Sequence, residues 1–112
     1  MELEKSFYIT AMDRFVHPDL KDVSLSAALH ALADPLRLEI VARLTECETL
    51  NSTASCVVGT PKSTISNHVG VLRAAGLVES RAEGRDRLHR LRRADFEKRF
   101  PGLLDSVLAN RA

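Results

Sequence analysis

A cluster of small polar side chains in the second half of the chain has the residue types and the spacing for contact with a nucleic acid. The stretch TPKSTISNHVGVLRAAGLV, residues 60–78, contains Ser63, Thr64, Ser66 and Asn67. An asparagine amide can pair with two atoms of adenine, and Ser or Thr hydroxyls can contact bases or phosphates. A helix cap would use one of these side chains and would leave the others unexplained. We therefore interpret the cluster as a recognition surface.

The same stretch has helical spacing that separates the polar cluster from an apolar face. At 100° per residue, Ile65, Val69 and Leu72 point into the domain. The opposite face is short, uncharged and partly bare, and it consists of Ser63, Asn67, Gly70 and Ala74, with Thr64 and Ser66 at its sides. Such a face predicts a helix that can enter the major groove of DNA.

Three charged or titratable residues flank this face. Lys62 adds its charge to the positive end of the helix dipole, and both favour phosphate. His68 lies about 60° from the core direction, so we expect a partly buried or phosphate-contacting histidine rather than a base reader or a metal ligand. Arg73 occupies the last turn, and we include it among the DNA-contacting candidates.

Positive charge is concentrated around this helix. Residues 60–93 hold eight basic and three acidic residues, a net charge of +5, which leaves −4 for the rest of a chain whose total is +1. Such segregation is typical of a surface that binds a polyanion, whereas a merely solvated surface would mix the signs more evenly.

A basic β-hairpin is predicted directly after the helix, at residues 77–92. LVESR and RLHRL are strand-like runs, and AEGRD between them supplies a glycine for the reversal. Arg81, Arg85 and Arg87 lie near the tip, where long cationic side chains can reach the DNA backbone or a narrow minor groove. A merely solvated hairpin is the alternative. In our interpretation the helix gives specificity and the hairpin gives affinity, because base contacts specify and phosphate contacts position.

The elements that position these residues follow from periodicity and capping. Residues 1–22 are weakly patterned and predict an N-terminal arm, whereas residues 23–112 predict a single domain. Helical spacing begins after Ser24, and Asp34-Pro35 is a start signal for a second helix that fades near residues 47–48.

The remaining elements complete a winged helix-turn-helix pattern. Asn51 or Ser52 can cap a short third helix that stops at Gly59, and the C-terminal helix has an apolar stripe with a break at Pro101. With the polar helix and the hairpin, the order α-α-α-α-β-β-α predicts a mostly α fold with a small β-hairpin.

The composition argues against several classes of protein. No nucleophile–base pair, glycine-rich phosphate loop or paired carboxylates have usable spacing, so the sequence predicts neither an enzyme nor a cofactor. No apolar run approaches the roughly 18 residues that span a bilayer, and the start resembles no secretory leader. We expect a cytoplasmic protein with no membrane partner, in which Cys47 and Cys56 are small packing residues.

Three motifs together resemble the ArsR/SmtB family of bacterial winged-helix repressors. They are LHALADPLRLEIVARL, KSTISNHVGVLRAAGLV and the hairpin EGRDRLHRL, and the likeness covers roughly residues 17 to 110. The resemblance implies a transcriptional repressor that binds a palindromic double-stranded DNA operator as a homodimer. The helix near residues 62–75 would lie in the major groove, and the hairpin would lie on the backbone or in the minor groove.

The resemblance also implies a dimer interface. In the family the first and last helices typically form it, and two apolar stripes of this chain fit that use. The candidate residues are Leu25, Leu29, Leu32, Leu103, Leu104, Val107 and Leu108. Without a partner we expect such stripes to be substantially exposed.

The chain departs from the metal-sensing members of that family. Those members often carry a Cys-x-Cys pair before the recognition helix, where this chain reads NSTASCVV, and paired ligands in a C-terminal helix that here lacks histidine. The remaining candidates show no ligand spacing, so we predict no metal site. They are Asp13, His17, His30, Cys47 and Cys56.

Two alternatives to this interpretation stay open. The first is a metal-responsive repressor that uses a non-standard site or a partner protein. The second is a winged helix that binds only protein, which the charge segregation argues against. The effector, whether a ligand, a metal, a redox event or a partner protein, is open as well.

Overall fold

Five helices and a small antiparallel sheet make up the part of the chain that the computed structural model describes, residues 15–47, 50–51 and 59–111. In chain order the elements are a 3-10 turn at Leu20–Asp22, α1 at Leu25–Leu32, α2 at Pro35–Glu46, β1 at Leu50–Asn51, α3 at Lys62–Ala74, β2 at Val78–Glu83, β3 at Asp86–Leu91, α4 at Arg93–Arg99 and α5 at Leu103–Asn110. This is the predicted winged helix-turn-helix. The short helix predicted for residues 52–58 lies outside the described residues.

The first two helices begin where their capping residues predict. The Ser24 hydroxyl accepts a hydrogen bond from the backbone N–H of Ala27 at 3.1 Å, which caps α1. Asp34 Oδ1 accepts from the backbone N–H groups of Leu36 and Arg37 at 2.8 and 3.2 Å, and Pro35 occupies the first turn of α2. These bonds satisfy donors that a helix N-terminus otherwise leaves free.

The sheet has one strand more than the sequence predicts. Its order is β1-β3-β2, with both pairs antiparallel. β2 and β3 form the predicted hairpin, in which Val78 pairs with Leu91 and Glu83 with Asp86. β1 adds a pairing of Leu50 with His89. A strand of two residues is too short for any periodic signal, so the sequence could not reveal it.

The core draws on every helix and on the hairpin. Its largest fully buried side chains include Ile40 and Val41 of α2, Ile65, Val69 and Leu72 of α3, Leu77 and Val78 at the start of the hairpin, Phe96 of α4 and Leu104 of α5. The apolar face predicted for α3 is thus fully inside, with no residue of the three more than 1% exposed. The opposite face must then point away from the core.

A glycine fixes the corner between α3 and β2. Gly76 has a φ of +78°, which is the left-handed conformation that favours glycine. A Cβ atom added there would lie 2.7 Å from Leu20 Cδ1, so the segment before α1 also packs closely at this corner. Leu20 belongs to the core beside Val23, although the sequence pattern predicted that Leu20 is part of an arm over residues 1–22.

The C-terminal region is two helices with a sharp break, as predicted at Pro101. α4 ends at Arg99, and α5 starts at Leu103. The rings of Phe96 and Phe100 pack 5.1 Å apart on the inner side of the break. Within the described ranges, no helix has both the length and the apolar character to cross a membrane.

Candidate nucleic-acid interface

The polar cluster of α3 lies on the surface and is not used for capping. Ser63, Ser66 and Asn67 are exposed, and Thr64 is half-buried. The N-cap position is Pro61, which has no side-chain acceptor. Among the described residues, no side-chain hydrogen bond occupies the four polar side chains. Their hydrogen-bonding groups are therefore available to another molecule.

His68 is half-buried and is held by a buried arginine of α2. Arg37 is 8% exposed, and its Nη1 lies 3.1 Å from Nδ1 of His68. Because a guanidinium can only donate, Nδ1 accepts and the ring proton of a neutral His68 sits on Nε2. Arg37 Nε also donates to the carbonyl of Ala31 at 2.7 Å, and Nη2 donates to that of His30 at 3.0 Å. Arg37 thus joins the end of α1 to α3.

Arg37 was not among the candidates from the sequence, although a signal for it exists. It lies three, four and seven residues before Ile40, Val41 and Leu44, on the buried face of α2. A charged residue on such a face must find partners inside the fold. Nearby, the pKa of the Asp34 carboxyl lies below its ordinary value. Burial raises it, but the backbone hydrogen bonds from Arg37 and Leu36 and the nearby positive charge of Arg37 outweigh that effect.

The three arginines predicted for the hairpin do not share one face. Side chains alternate along a strand, and directly paired residues lie on the same face. Arg87 pairs with Ala82 and shares the face of Ser80, whereas Arg81 pairs with Leu88 on the other face. Arg81 also forms an ion pair of 3.1 Å with Glu83. Arg85 is exposed in the turn beside Gly84, whose φ is +61°.

Ion pairs neutralise much of the positive charge that the sequence concentrates here. Within residues 60–93, Glu79 pairs with Arg90 across the hairpin, while Arg81, Arg92 and Arg93 each contact a carboxylate. Lys62, Arg85 and Arg87 have no acidic side-chain partner in the described part of the chain. These three cations are the ones best placed to attract phosphate.

A buried hydrogen-bond network, which we call the junction (Arg73, Ser80 and His89), joins α3 to the hairpin. Arg73 Nη1 donates to Ser80 Oγ at 3.1 Å, and Oγ lies 2.8 Å from His89 Nδ1. Burial lowers the pKa of His89 to about 4, aided by the nearby charge of Arg73. His89 is therefore neutral near pH 7, and its Nδ1 can accept a hydrogen bond from the Ser80 hydroxyl. Burial and the charge of Arg87 lower the pKa of Arg73 as well.

The chain before α1 packs against this junction. We call residues 15–23 the N-terminal segment. The Phe15 ring centroid lies 4.5 Å from the Arg73 guanidinium and 5.8 Å from that of Arg87. Nε2 of His17 accepts a hydrogen bond from the Ser80 backbone N–H at 2.9 Å. The segment thus contacts both predicted DNA-contacting elements.

The N-terminal segment also runs beside the outward face of α3. A cleft of about 450 Å³ separates the two, lined by Phe15, Val16, Pro18, Gly70, Arg73 and Ala74. Val16 is 80% exposed there. The open part of the outward face is accordingly its first two turns, which carry the polar cluster.

The predicted dimer residues divide into exposed and buried sets. Leu25 and Leu29 of α1 are 51% and 44% exposed. Leu103, Val107 and Leu108 of α5 are partly buried against the core. Leu32 and Leu104, at 3% and 1% exposure, already pack inside one chain because they lie on the inner sides of their helices.

The residues considered as metal ligands are scattered. His17 lies against the hairpin, His30 is exposed on α1, and Cys47 is exposed at the end of α2. The interpretation of Cys47 as a packing residue is therefore wrong, since the helix ends just before it and leaves its side chain outside. Asp13 and Cys56 lie outside the described residues. The described ranges hold no group of three or more His, Cys, Asp or Glu side chains arranged for a metal ion.

The fold and this surface define a DNA-binding transcriptional regulator, and comparisons with known proteins agree. Residues 32–81 match a family model described as a helix-turn-helix domain. The HTH-type transcriptional regulator CmtR of Mycobacterium tuberculosis (strain ATCC 25618 / H37Rv) is 30% identical over 91 residues, which are 81% of this chain and 77% of CmtR. The HTH-type transcriptional repressor SmtB of the same strain is 36% identical over 63 residues, 56% of this chain and 47% of SmtB.

A solved structure shows the same relationship. An ArsR-like transcriptional regulator from Rhodococcus sp. RHA1 is 29% identical, with a TM-score of 0.57, over 67% of this chain and 71% of that one. The chain belongs to the ArsR/SmtB family of winged helix-turn-helix regulators, which are DNA-binding transcriptional repressors. This is a family of regulators and not of enzymes.

Proposed function

We propose that this repressor binds a palindromic operator as a homodimer, with α3 of each protomer in the major groove. The observation that carries the proposal is the set of exposed polar side chains in the first two turns of α3, which have no partner within the described chain. Recognition helices of this class present their N-terminal residues to base edges. In this arrangement Asn67 and Ser63 face bases, while Lys62, Thr64 and Ser66 lie at the sides toward phosphates.

The buried contacts of α3 support this orientation. Ile65, Val69 and Leu72 fix its inner side, and Arg37 holds His68 from the direction of α1 and α2. With Nδ1 occupied, His68 has an Nε2–H left, which suits a phosphate oxygen better than a base edge. A helix held on two sides presents its third side with little loss of conformational entropy on binding.

The hairpin carries positive charge that suits contact with the DNA backbone. Arg85 at the turn and Arg87 on the junction face have no carboxylate partner in the described chain, so both can bind phosphate or enter a narrow minor groove. Arg81 contributes less, because Glu83 is already within 3.1 Å of it. Arg73 is half-buried, and we propose that it acts mainly by holding the hairpin through Ser80.

A homodimer is supported by the exposed leucines of α1. Leu25 and Leu29 lie one helical turn apart and form an apolar strip that a monomer would leave in water. Leu103, Val107 and Leu108 on α5 supply further apolar surface. We assign Leu32 and Leu104 to the core that supports these two surfaces.

The proposal is tested by selecting DNA sequences from a random duplex library with the purified full-length chain. We expect the enriched sites to contain an inverted repeat whose half-sites are about 34 Å apart, one helical turn of DNA. Binding to such a site should weaken steeply as salt rises, because lysines and arginines release counterions from phosphates. No enrichment, or enrichment of single unrepeated sites, would contradict the proposal.

A further inference from the structure

A second cleft, between the N-terminal segment and α4, has the size and charge of a site for a small organic anion. Its volume is about 790 Å³, which is within the range of small-molecule sites. The charged residues of its wall are Asp19, Lys21, Arg92, Asp95, Lys98 and Arg99. Four cations against two carboxylates give the wall a formal net charge of +2, so it favours an anion.

The cations of this cleft have two different roles. Arg92 Nη1 donates to the Pro18 carbonyl at 2.8 Å, and Arg99 donates to the carbonyls of Leu20 and Val23 at 3.1 and 3.0 Å. These arginines hold the N-terminal segment in place and contribute fixed charge. Lys21 and Lys98 are exposed and have no acidic partner among the described residues. Their ammonium groups are available to bind an anionic ligand.

The cleft also has an apolar side. Phe15 and Pro18, both half-buried, line it together with Leu20. A bare inorganic ion would leave this surface unused, whereas an anionic group on an apolar body would contact both sides. The wall chemistry therefore fits a carboxylate or phosphate carried by a small apolar or aromatic group.

Two residues connect this cleft to the DNA-contacting elements. Phe15 lines the cleft and lies 4.5 and 5.8 Å from the guanidinium groups of Arg73 and Arg87. His17 also lines it and accepts the backbone hydrogen bond from Ser80. A ligand in van der Waals contact with the Phe15 ring would lie within roughly 10 Å of both guanidinium groups, a separation comparable to the Debye length of about 8 Å at physiological ionic strength.

We propose that this cleft binds a small organic anion and that the bound anion weakens DNA binding. The second part rests on the proposed function. A negative charge close to Arg73 and Arg87 lowers the positive potential that attracts phosphate. By thermodynamic reciprocity, DNA then weakens binding of the anion by the same factor.

The test uses benzoate and phenyl phosphate as the carboxylate and phosphate probes, and benzyl alcohol as a neutral control of similar shape. The full-length chain without DNA is titrated with each probe while amide signals are followed by NMR. At millimolar concentration we expect at least one anion to shift signals of residues 15–21 and 92–99, whereas benzyl alcohol should not. The double variant Lys21→Gln with Lys98→Gln should lose the shifts. A matched variant, Arg43→Gln with Arg111→Gln, removes two positive charges near Glu39 and should keep them.

DNA binding is then measured with and without the probe at constant ionic strength. We expect the anion to weaken binding of the wild-type chain by at least about fivefold, the lower end of ordinary allosteric coupling, and to leave the lysine double variant unaffected. Absence of any anion-dependent shift, or equal shifts in the lysine variant, would overturn the site. Binding of the anion without an effect on DNA affinity would overturn the coupling.

A third result would overturn the proposal in favour of a different role for the two lysines. It is the absence of anion-dependent shifts in the wild-type chain together with weaker DNA binding by the lysine double variant than by the matched variant, which would indicate that Lys21 and Lys98 contact the DNA backbone. Failure of the wild-type chain to bind DNA at all would instead contradict the proposed function, and the NMR titration would still decide whether the cleft binds an anion.

Discussion

At the scale of single residues, a few buried polar groups lie behind the proposed DNA-binding surface. His89 is 3% exposed and is neutral near pH 7, since burial and Arg73 lower its pKa to about 4. In the unfolded chain a histidine titrates near 6.5. The unfolded state therefore binds the proton first as the pH falls, and the folded state is destabilised.

The difference in the pKa of His89 between the folded and unfolded states predicts a pH dependence of stability. The contribution of His89 is complete above about pH 6.5 and is lost as the pH falls toward 4, and a difference of about 2.5 in pKa corresponds to about 3 kcal/mol. His89→Asn keeps a polar atom near Ser80 but does not titrate. We expect its melting temperature to be lower at pH 7 and to fall less between pH 6.5 and 4 than that of the wild type. Exposed His30→Asn is the control, and parallel pH profiles for wild type and His89→Asn would contradict the assignment.

The polar contacts behind the surface could not be predicted from the sequence, because they join residues that are far apart in the chain. Asp34 capping α2 and the buried face of α3 were predictable because each needs only local spacing. The contact of Arg37 with His68 spans 31 positions, and that of His17 with Ser80 spans 63. Such pairs are fixed by how elements pack, and a single sequence carries no spacing rule for them.

At the scale of elements, the two faces of the hairpin carry arginines with different surroundings. Its strands were predictable from their composition, but which arginines act together depends on register. Arg87 lies on the Ser80 face, and Arg81 lies on the opposite one with Glu83 as its partner. The sequence alone suggested one cluster of three.

We expect the two faces to respond differently to mutation. Arg85→Ala with Arg87→Ala should weaken binding to all DNA sequences alike and reduce the slope of log K against log salt by about one for each phosphate that is no longer neutralised. Arg81→Ala should have a smaller effect, because its charge is already partly neutralised. The measurement is fluorescence anisotropy over a salt series. A change in preferred base at one operator position would show that the hairpin reads sequence.

At the scale of the whole molecule, the apolar stripes of α1 and α5 serve the core and, in the proposed dimer, an interface. Periodicity identified the stripes but could not separate core residues from interface residues. A helix that packs against a core and a helix that packs against a partner have the same spacing of apolar residues. The division comes from burial: Leu25 and Leu29 are exposed, whereas Leu32 and Leu104 are inside.

We predict that Leu25→Glu with Leu29→Glu converts a dimer into a folded monomer and weakens operator binding. The charges would lie in the interface of the dimer but in water in the monomer, so helical circular dichroism should be kept. Leu104→Glu should instead unfold the chain, because it buries a charge without a partner. Analytical ultracentrifugation distinguishes the folded monomer expected for the α1 variant from the unfolded chain expected for the α5 variant. A wild-type chain that sediments as a monomer at micromolar concentration would refute the dimer.

We propose that the exposed face of α3 recognises bases while its inner face holds the fold. Asn67→Ala and Val69→Ala separate these roles, because the two residues are neighbours on one helix with opposite exposure. Val69→Ala removes buried methyl groups and should cost about 2 kcal/mol of stability. It should lower specific and non-specific DNA affinity by the same factor, because it acts on DNA binding only by reducing the fraction of folded chains.

The most direct measurement is the ratio of operator affinity to random-DNA affinity for Asn67→Ala, taken beside its melting curve. We predict a wild-type melting temperature and a loss of about 1–3 kcal/mol of discrimination per half-site, as expected for one bidentate base contact. An Asn67→Ala chain that melts early and keeps the wild-type ratio would contradict the claim, because Asn67 would then support the helix and not the recognition of DNA.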